Sequence, residues 1–244
     1  MDDRNARNAD AGNTSDPPDP QQLLTALSTE HFTLQGARSQ TMSESSARAS
    51  VYVFSVSSAL VALGFIGQLD EVGTVFNIFA LTVLPTLYLL GVATFVRLVE
   101  CGAEDFRYGM AINRIRHYYK ELARERAGLF LLSGHDDAAG VFANMGLPLV
   151  GRKPYFAFST AVLVINSVVG GAVVALALGV GLDVSLGLAT GVGGAAALAS
   201  VGGWLRYADR RLDSSYADIE PMFPSPPPGH ADANGVPSTR NDDL

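Results

Sequence analysis

The sequence has only one cysteine, few charged side chains and an excess of acidic over basic residues. Of its 244 residues 17% are charged and 48% are hydrophobic, and the formal net charge is −7 at pH 7. The lone Cys101 excludes a disulfide scaffold and a zinc site built from thiolates. The negative net charge excludes a general nucleic-acid binder, because a polyanionic partner requires a concentrated basic surface.

Ionisable residues are missing from four long segments of the chain. Residues 51–68, 72–96, 155–182 and 184–205 contain no Asp, Glu, Lys, Arg or His. At about 1.5 Å per residue, each segment is long enough to cross a hydrocarbon core of roughly 30 Å, the first only just. The mean hydropathy of the whole chain, +0.21, agrees with this interpretation. The sequence therefore predicts four transmembrane helices rather than the buried core of a soluble helical protein.

Basic residues are also missing from the two short turns that join these segments in pairs. The only charges in the turns are Asp70, Glu71 and Asp183, whereas all 17 Lys and Arg lie elsewhere. By the positive-inside rule, both termini and the middle segment face the cytoplasm. Nearly all basic residues are arginine, and Ala, Gly and Val are abundant, which indicates a GC-rich bacterial genome. We therefore expect a bacterial inner membrane protein.

These observations predict an all-α polytopic membrane protein in which two transmembrane helical hairpins are joined by a cytoplasmic helical hairpin. Both ends are polar and contain proline, so they are expected to bury too little apolar surface to become ordered. The predicted parts are a disordered tail (1–28), a cytoplasmic helix next to the membrane (29–49), the first transmembrane hairpin (50–97), the cytoplasmic hairpin (98–154), the second transmembrane hairpin (155–206) and a largely disordered proline-rich tail (207–244).

An apolar stripe runs along the helix that is predicted to follow the second membrane segment. Its members are spaced by four, three, four and three residues, so they share one helix face. They are Tyr108, Ile112, Ile115, Tyr119 and Leu122. Such a face must be buried, either against the second cytoplasmic helix or against another copy of the chain. These residues are the candidate interaction surface.

Basic residues form a line along the same helix. Arg116, Lys120 and Arg124 are spaced by four residues. One interpretation is contact with anionic lipid headgroups or with a partner protein. The simpler one is a solvated helix face, because Glu121 and Glu125 lie beside the line and neutralise it in part.

Small residues repeat every four positions along the fourth apolar segment, so that they lie on one helix face. They are Gly187, Gly191, Ala195, Ala199 and Gly203. In lipid, small residues let helix backbones approach closely, and this face is therefore a predicted packing surface. Gly171, Ala175 and Gly179 on the third segment are its candidate partner. Whether the contact lies within one chain or between two chains is open at this point.

Two groups of polar residues are the remaining candidates for chemistry. His135, Asp136 and Asp137 are the only cluster of side chains suited to a metal ion, but neighbouring residues cannot all converge on one ion, and helix capping explains them without a metal. Asn77 and Asn166 lie within membrane segments, which predicts hydrogen bonds between helices or a polar pathway. Motifs for hydrolases, nucleotide binding, redox chemistry and kinases are missing, so no cofactor is expected.

Several stretches resemble a family of uncharacterised bacterial integral membrane proteins. They are residues 31–68, the run INRIRHYY at 112–119, the run LLSGHDD at 131–137 and the run NSVVG at 166–170. The resemblance covers roughly residues 31–211 and implies a four-span membrane fold, but its motifs have no known chemistry and imply no site residue. More loosely, the layout resembles the two-span effector modules of bacterial nucleotide-signalling defence systems, which implies an action on the membrane.

The leading hypothesis is a non-enzymatic interaction or regulatory protein of the membrane. Its partners would be the lipid bilayer and either a second copy of the chain or a cytoplasmic protein, without nucleic acid. The alternative is an oligomeric channel or pore-type effector, in which Asn77, Asn166 and the small-residue face line a pathway. Secondary transport is disfavoured because the four segments lack ionisable residues. A third hypothesis is a membrane enzyme with a metal ion at His135 and Asp136.

Overall fold

The computed structural model describes residues 19–68, 73–146, 157–217 and 219–227. These residues form five α-helices and one 3₁₀ helix, without a β-strand among them. The elements are α1 (Pro20–Ile66), α2 (Gly73–Ala123), the 3₁₀ helix (Arg124–Leu129), α3 (Ala138–Asn144), α4 (Ala157–Gly181) and α5 (Leu186–Ala217). The predicted all-α class is confirmed.

Helices α1, α2, α4 and α5 are each long and apolar enough to cross a membrane. The chain is thus a multi-pass membrane protein. With 47 and 51 residues, α1 and α2 are much longer than a bilayer requires. At 1.5 Å per residue they measure about 70 Å and about 76 Å, against a hydrocarbon core of roughly 30 Å. Both helices therefore continue as rods beyond the membrane, where they form an extramembrane module from residues 19–49, 97–146 and 219–227.

Helix α2 is the axis of the bundle. It packs against α1, α4 and α5, while α4 and α5 also pack against each other. The membrane part of the core contains Tyr52 of α1, Leu87 of α2 and Val162 of α4, all of which are buried. Phe95 of α2 meets Trp204 of α5 edge-on, with ring centroids 5.5 Å apart. These contacts connect the two predicted membrane hairpins through α2.

The beginning of α1 differs from the expectation of a disordered tail over residues 1–28. Residues 20–28 are helical and continue without a break into the helix expected at 29–49. The Asp19 side chain accepts a hydrogen bond from the Gln21 N–H over 3.2 Å, and Pro20 occupies the first helical position, where its missing N–H is not needed. The Tyr119 hydroxyl lies 3.3 Å from the Ser28 hydroxyl, so this polar helix also packs against α2.

The C-terminal end also departs from the predicted disordered tail over residues 207–244. Helix α5 continues to Ala217, because Ala208, Leu212 and Ser215 follow one another at helical spacing and are all buried. Residues 219–227 have no regular secondary structure, bend at Met222 and Phe223, and lie against α2 and the loop before α3 within the extramembrane module. Residues 1–18 and 228–244, the other parts of the two predicted tails, lie outside the described residues.

The predicted helical hairpin between the membrane segments is present only as a long and a short helix. Helix α2 ends at Ala123, where Arg124 takes a left-handed backbone conformation with φ of +48°. After the 3₁₀ helix and an extended loop, α3 begins with Asp137 as its cap, whose side chain accepts from the Gly140 N–H over 2.8 Å. The helix capping expected of the cluster His135, Asp136 and Asp137 is therefore found at Asp137, whereas Asp136 has a different role.

Candidate functional site

The C-terminal segment, residues 219–227, is held by two adjacent carboxylates of the loop before α3. Of residues 221–227, four are proline, so only Met222, Phe223 and Ser225 carry a backbone N–H. All three N–H groups donate to these carboxylates. Met222 and Phe223 donate to Asp136 over 3.0 Å and 2.7 Å, and Ser225 donates to Asp137 over 2.7 Å. Every backbone donor of this stretch is therefore used.

Asp136 is the centre of this arrangement. Its side chain is 0% exposed, and it also accepts a hydrogen bond from the Arg114 Nε over 2.6 Å. In return, the Asp136 N–H donates to the Phe223 carbonyl over 3.2 Å. Burial opposes the charged form, but the N–H groups of Phe223 and Met222 and the Arg114 guanidinium together hold the pKa of Asp136 below its ordinary value. The carboxylate is thus charged at neutral pH.

Side chains of the segment make three further contacts with the module. The Phe223 ring stacks on the His117 imidazole, with centroids 3.7 Å and planes 12° apart. The Ser225 hydroxyl donates to Asp137 over 2.7 Å. Ile219 packs against a small apolar cluster, which consists of Phe106, Met110 and Val141. The module thus contacts an apolar, an aromatic and a hydroxyl side chain of one short segment.

A polar network fixes the loop that carries these carboxylates. Buried Asn113 of α2 donates to the His135 carbonyl over 2.8 Å, and it accepts from Asn144 of α3 over 2.9 Å. Arg116 donates to Asn113 over 2.6 Å and to the Ser133 carbonyl over 3.1 Å. Arg116 belongs to the predicted basic line, and its guanidinium binds this loop rather than forming part of a solvated face.

The predicted apolar stripe packs within the chain. Ile112 and Ile115 are buried, and Tyr108 and Tyr119 are half-buried. Asp105, Ile112 and Tyr119 are spaced by seven residues and so lie on one helix face. The first of them binds Arg38 of α1 over 2.7 Å, and the last contacts Ser28 of α1. The extension of α1 therefore lies along this face, and Ile112 and Ile115 are buried without a second chain.

Only the C-terminal end of the apolar stripe is exposed. Leu122 is 57% exposed, and two leucines beyond it, Leu129 and Leu131, are 82% and 89% exposed. We call these three residues the leucine tip. From residue 97 to residue 123, α2 rises by about 39 Å, which places the leucine tip outside the bilayer that surrounds the apolar part of α2.

Asn166 forms the polar centre of the membrane bundle. In the orientation that satisfies all its partners, its amide nitrogen donates to the Tyr52 hydroxyl and to the Tyr88 carbonyl, both over 3.1 Å, and its oxygen accepts from the Val92 N–H over 3.3 Å. A Cβ atom at Gly91 would collide with this amide, so the approach of α4 to α2 requires a glycine there. The predicted interhelical hydrogen bonding of Asn166 is confirmed.

The predicted small-residue face of α5 does not face α4. All five members are exposed: Gly187, Gly191, Ala195, Ala199 and Gly203. Instead α5 approaches α4 at Gly193, where an added Cβ would lie 2.5 Å from the Gly171 carbonyl and 2.9 Å from the Ala175 Cβ. Gly171 and Ala175 thus pack closely on α5 within the chain, but on the face of Gly193, and the third candidate partner, Gly179, meets nothing within 4 Å. Packing of the predicted face against a second chain stays a prediction. Glycine and alanine occupy both faces of this helix, and spacing alone cannot tell which one a neighbour covers.

Asp136 and His135 make peptide contacts rather than forming a vacant metal site. Both carboxylate oxygens of Asp136 accept from N–H donors, and the His135 Nδ1 lies 3.3 Å from the Phe223 carbonyl. Among the described residues, no group of three or more His, Cys, Asp or Glu side chains is arranged to hold a metal ion. The hypothesis of a metal enzyme at this position therefore gains no support from the geometry.

Sequence reasoning misses most of the residues that hold the C-terminal segment. They are Asn113, Arg114, Phe223 and Ser225. The one signal for them is a group of apolar residues, Ile219, Met222 and Phe223, within a tail that is otherwise polar and rich in proline.

No protein-family model, curated protein or solved structure matches this chain. Its function is inferred from the geometry.

Proposed function

We propose that this chain is a non-enzymatic membrane protein that binds a partner protein through its leucine tip. The supporting observation is the exposure of Leu122, Leu129 and Leu131 around the turn that ends α2. Apolar side chains on the membrane helices face lipid, but those of the leucine tip lie beyond the reach of the bilayer. An exposed group of large apolar residues on a soluble surface is typical of a protein-binding site.

Two ion pairs join α1 and α2 in the module that carries the leucine tip. Arg38 of α1 donates two hydrogen bonds to Asp105 of α2, over 2.7 Å and 3.1 Å. Nearer the membrane, Arg97 of α2 donates two to Glu44 of α1, over 2.9 Å and 3.1 Å. Paired contacts between guanidinium and carboxylate fix both distance and angle. The two helices therefore present the leucine tip from a rigid support, as a binding surface requires.

The experiment is photo-crosslinking from the leucine tip in native membranes. A photoreactive amino acid replaces Leu131 in the full chain, and the matched control carries it at Gln40, which is also exposed on the module. We expect one defined protein adduct from position 131 and none from position 40. In the protein that carries the photoreactive residue at position 131, Leu129→Ser should remove the adduct without lowering the unfolding temperature. A folded protein that gives no adduct at position 131 would contradict the proposal.

An oligomeric channel or pore-type effector is the second candidate. It is favoured by the exposed small-residue face of α5, where a Cβ at Gly187 or Gly191 would meet no other described residue within 4 Å. Because Asn166 is bonded inside the bundle, a pathway would have to lie between chains. Dye leakage from liposomes, abolished by Gly191→Leu, would support this candidate. Liposomes that retain the dye at every protein density would exclude this candidate.

We also propose that the extramembrane module lies in the cytoplasm of a bacterial inner membrane. The proposal rests on the absence of basic residues from the turn before α5 and on their abundance in the module. In a Cys101→Ala background, Leu182→Cys should react with an impermeant maleimide in intact cells, since Leu182 is exposed at that turn. Gln40→Cys should react only after lysis. If Gln40→Cys reacts in intact cells and Leu182→Cys reacts only after lysis, the module lies on the outer side of the membrane.

A further inference from the structure

The contacts of residues 221–225 are those of a bound peptide. Prolines leave the segment with three backbone donors, and each donor has one acceptor, so a shift by a single residue would put a proline opposite a carboxylate. Side-chain contacts fix the same alignment through the Phe223 ring on His117 and the Ser225 hydroxyl on Asp137. Main-chain hydrogen bonds that hold a segment without regular secondary structure, together with a few side-chain contacts, are typical of peptide recognition.

The surface that receives this segment is formed by contacts that do not involve it. Asn113 holds the loop at the His135 carbonyl, and Asn144 accepts from the Ser133 N–H over 2.7 Å. Asp137 is fixed as the cap of α3 by the Gly140 N–H. These contacts would persist if the segment left. The site is therefore preorganised, which reduces the entropic cost of binding a peptide.

An empty site would nevertheless be unfavourable. Without Met222 and Phe223, the Asp136 carboxylate would keep only Arg114 as a partner within the chain. Water would then replace two aligned N–H donors of a charged acceptor, which are among the stronger hydrogen bonds in proteins. Exchange of one peptide for another, which restores the two N–H donors, is therefore favoured over simple opening.

We propose that Arg114, His117, Asp136 and Asp137 form a peptide-recognition site that the chain's own residues 221–225 occupy and that a segment of the same chemistry on a partner protein binds by displacing them. The ligand class is a proline-flanked peptide that bends at an aromatic residue and continues with proline and serine. Two N–H groups at and before the aromatic residue bind Asp136. The serine hydroxyl donates to Asp137, so a phosphate on this serine would be repelled by that carboxylate.

The test measures binding of a labelled peptide of residues 217–227 to the full chain in nanodiscs by fluorescence polarisation. The tethered segment competes at a high effective concentration, so the wild-type chain should bind the peptide weakly. Phe223→Ala removes the ring stack of the resident segment and should raise the apparent affinity for the peptide at least tenfold. Met222→Ala is the matched control, because Met222 contributes its backbone while its side chain is exposed. It should bind like the wild type.

Peptide variants test the specificity on one folded protein, Phe223→Ala, whose circular dichroism is compared with that of the wild type. Peptides with alanine in place of the phenylalanine, or with phosphoserine in place of the serine, should bind at least tenfold more weakly. If the Phe223→Ala protein is folded but binds no peptide, or if all three peptides bind equally, the site is not a recognition site and the proposal is overturned.

Discussion

Asp136 and Phe223 exchange hydrogen bonds in both directions, although 87 residues separate them in the chain. The Phe223 N–H donates to the Asp136 carboxylate over 2.7 Å, and the Asp136 N–H donates to the Phe223 carbonyl over 3.2 Å. Since residues 219–227 follow α5 almost directly, this pair connects the end of the last membrane helix to the loop before α3. The extramembrane module is therefore formed from both ends of the chain and its middle.

Replacement of Asp136 by alanine should destabilise the protein more than replacement of an exposed carboxylate. The change removes a buried acceptor from Met222 and Phe223 and the partner of Arg114. We expect a loss of about 2–4 kcal/mol in the free energy of unfolding, measured by thermal unfolding in detergent. The control is Glu125→Ala, at an exposed position of the 3₁₀ helix. Equal unfolding temperatures for the two variants would contradict the assigned role of Asp136.

The stability of the extramembrane module should fall in acid. Hydrogen bonds from Arg97 and Arg48 lower the pKa of Glu44 to about 2, and the pKa of Asp136 is lowered as well. A carboxylate whose pKa is lower in the folded state stabilises the fold fully above its unfolded pKa, near 4.5 for Glu44. This stabilisation disappears as the pH falls from there through the folded pKa.

Thermal unfolding between pH 7 and pH 2.5 measures this dependence. Unfolding temperatures should be nearly constant down to about pH 5 and should then decrease, since the carboxylates bind protons mainly in the unfolded state. Glu44→Gln should make the decrease less steep, whereas Glu125→Gln should leave it unchanged. An unfolding temperature that rises toward pH 3 would show that protonation of these carboxylates stabilises the fold, which contradicts the prediction.

The membrane bundle should tolerate a methyl group at one helical glycine and not at another. Gly91→Ala places its Cβ against the Asn166 amide and within 2.8 Å of the Tyr52 ring, so the unfolding temperature should decrease markedly. Gly36→Ala meets nothing within 4 Å in α1 and should stabilise the helix by about 0.5–1 kcal/mol. Similar effects of the two variants would mean that α2 and α4 do not approach as closely as described.

The two glycine faces of α5 should respond oppositely to a large side chain. Gly193→Leu would force α5 away from Gly171 and Ala175 of α4 and should unfold or aggregate the protein. Gly191→Leu points into open space and should leave the unfolding temperature of the single chain unchanged. The mass of the detergent-solubilised particle gives the second measurement. If Gly191→Leu reduces that mass, the exposed face is an assembly surface.

The membrane helices were predictable because a single property of the sequence, the lack of ionisable side chains, specifies them. About twenty residues without an ionisable side chain are enough to specify a span, whatever the neighbours are. The stripe through Ile112 and Ile115 shows the limit of this approach, since helical periodicity indicates that a face is buried but not which element covers it. The helix at residues 29–49 was predicted, but its contact with this face was not, because α1 is polar there and meets α2 through side chains such as Arg38, which pairs with Asp105.

The C-terminal segment was not predictable from composition for a related reason. A polar, proline-rich stretch buries little apolar surface, and this favours disorder. What holds residues 221–225 is the match between three N–H groups and two carboxylates from a distant loop. Such a match depends on the tertiary position of Asp136 and Asp137. Local sequence patterns report helix caps and spans, but they do not report which distant acceptor a given N–H will meet.

Hydrogen exchange at the amides of Met222, Phe223 and Ser225 in the full chain is the most direct test of the bound C-terminal segment. These N–H groups donate to Asp136 and Asp137, so they should exchange at least tenfold more slowly in the wild type than in Asp136→Ala, with the largest change at Met222 and Phe223. Exchange of all three amides at the rate of an unstructured peptide in the wild type would contradict the account.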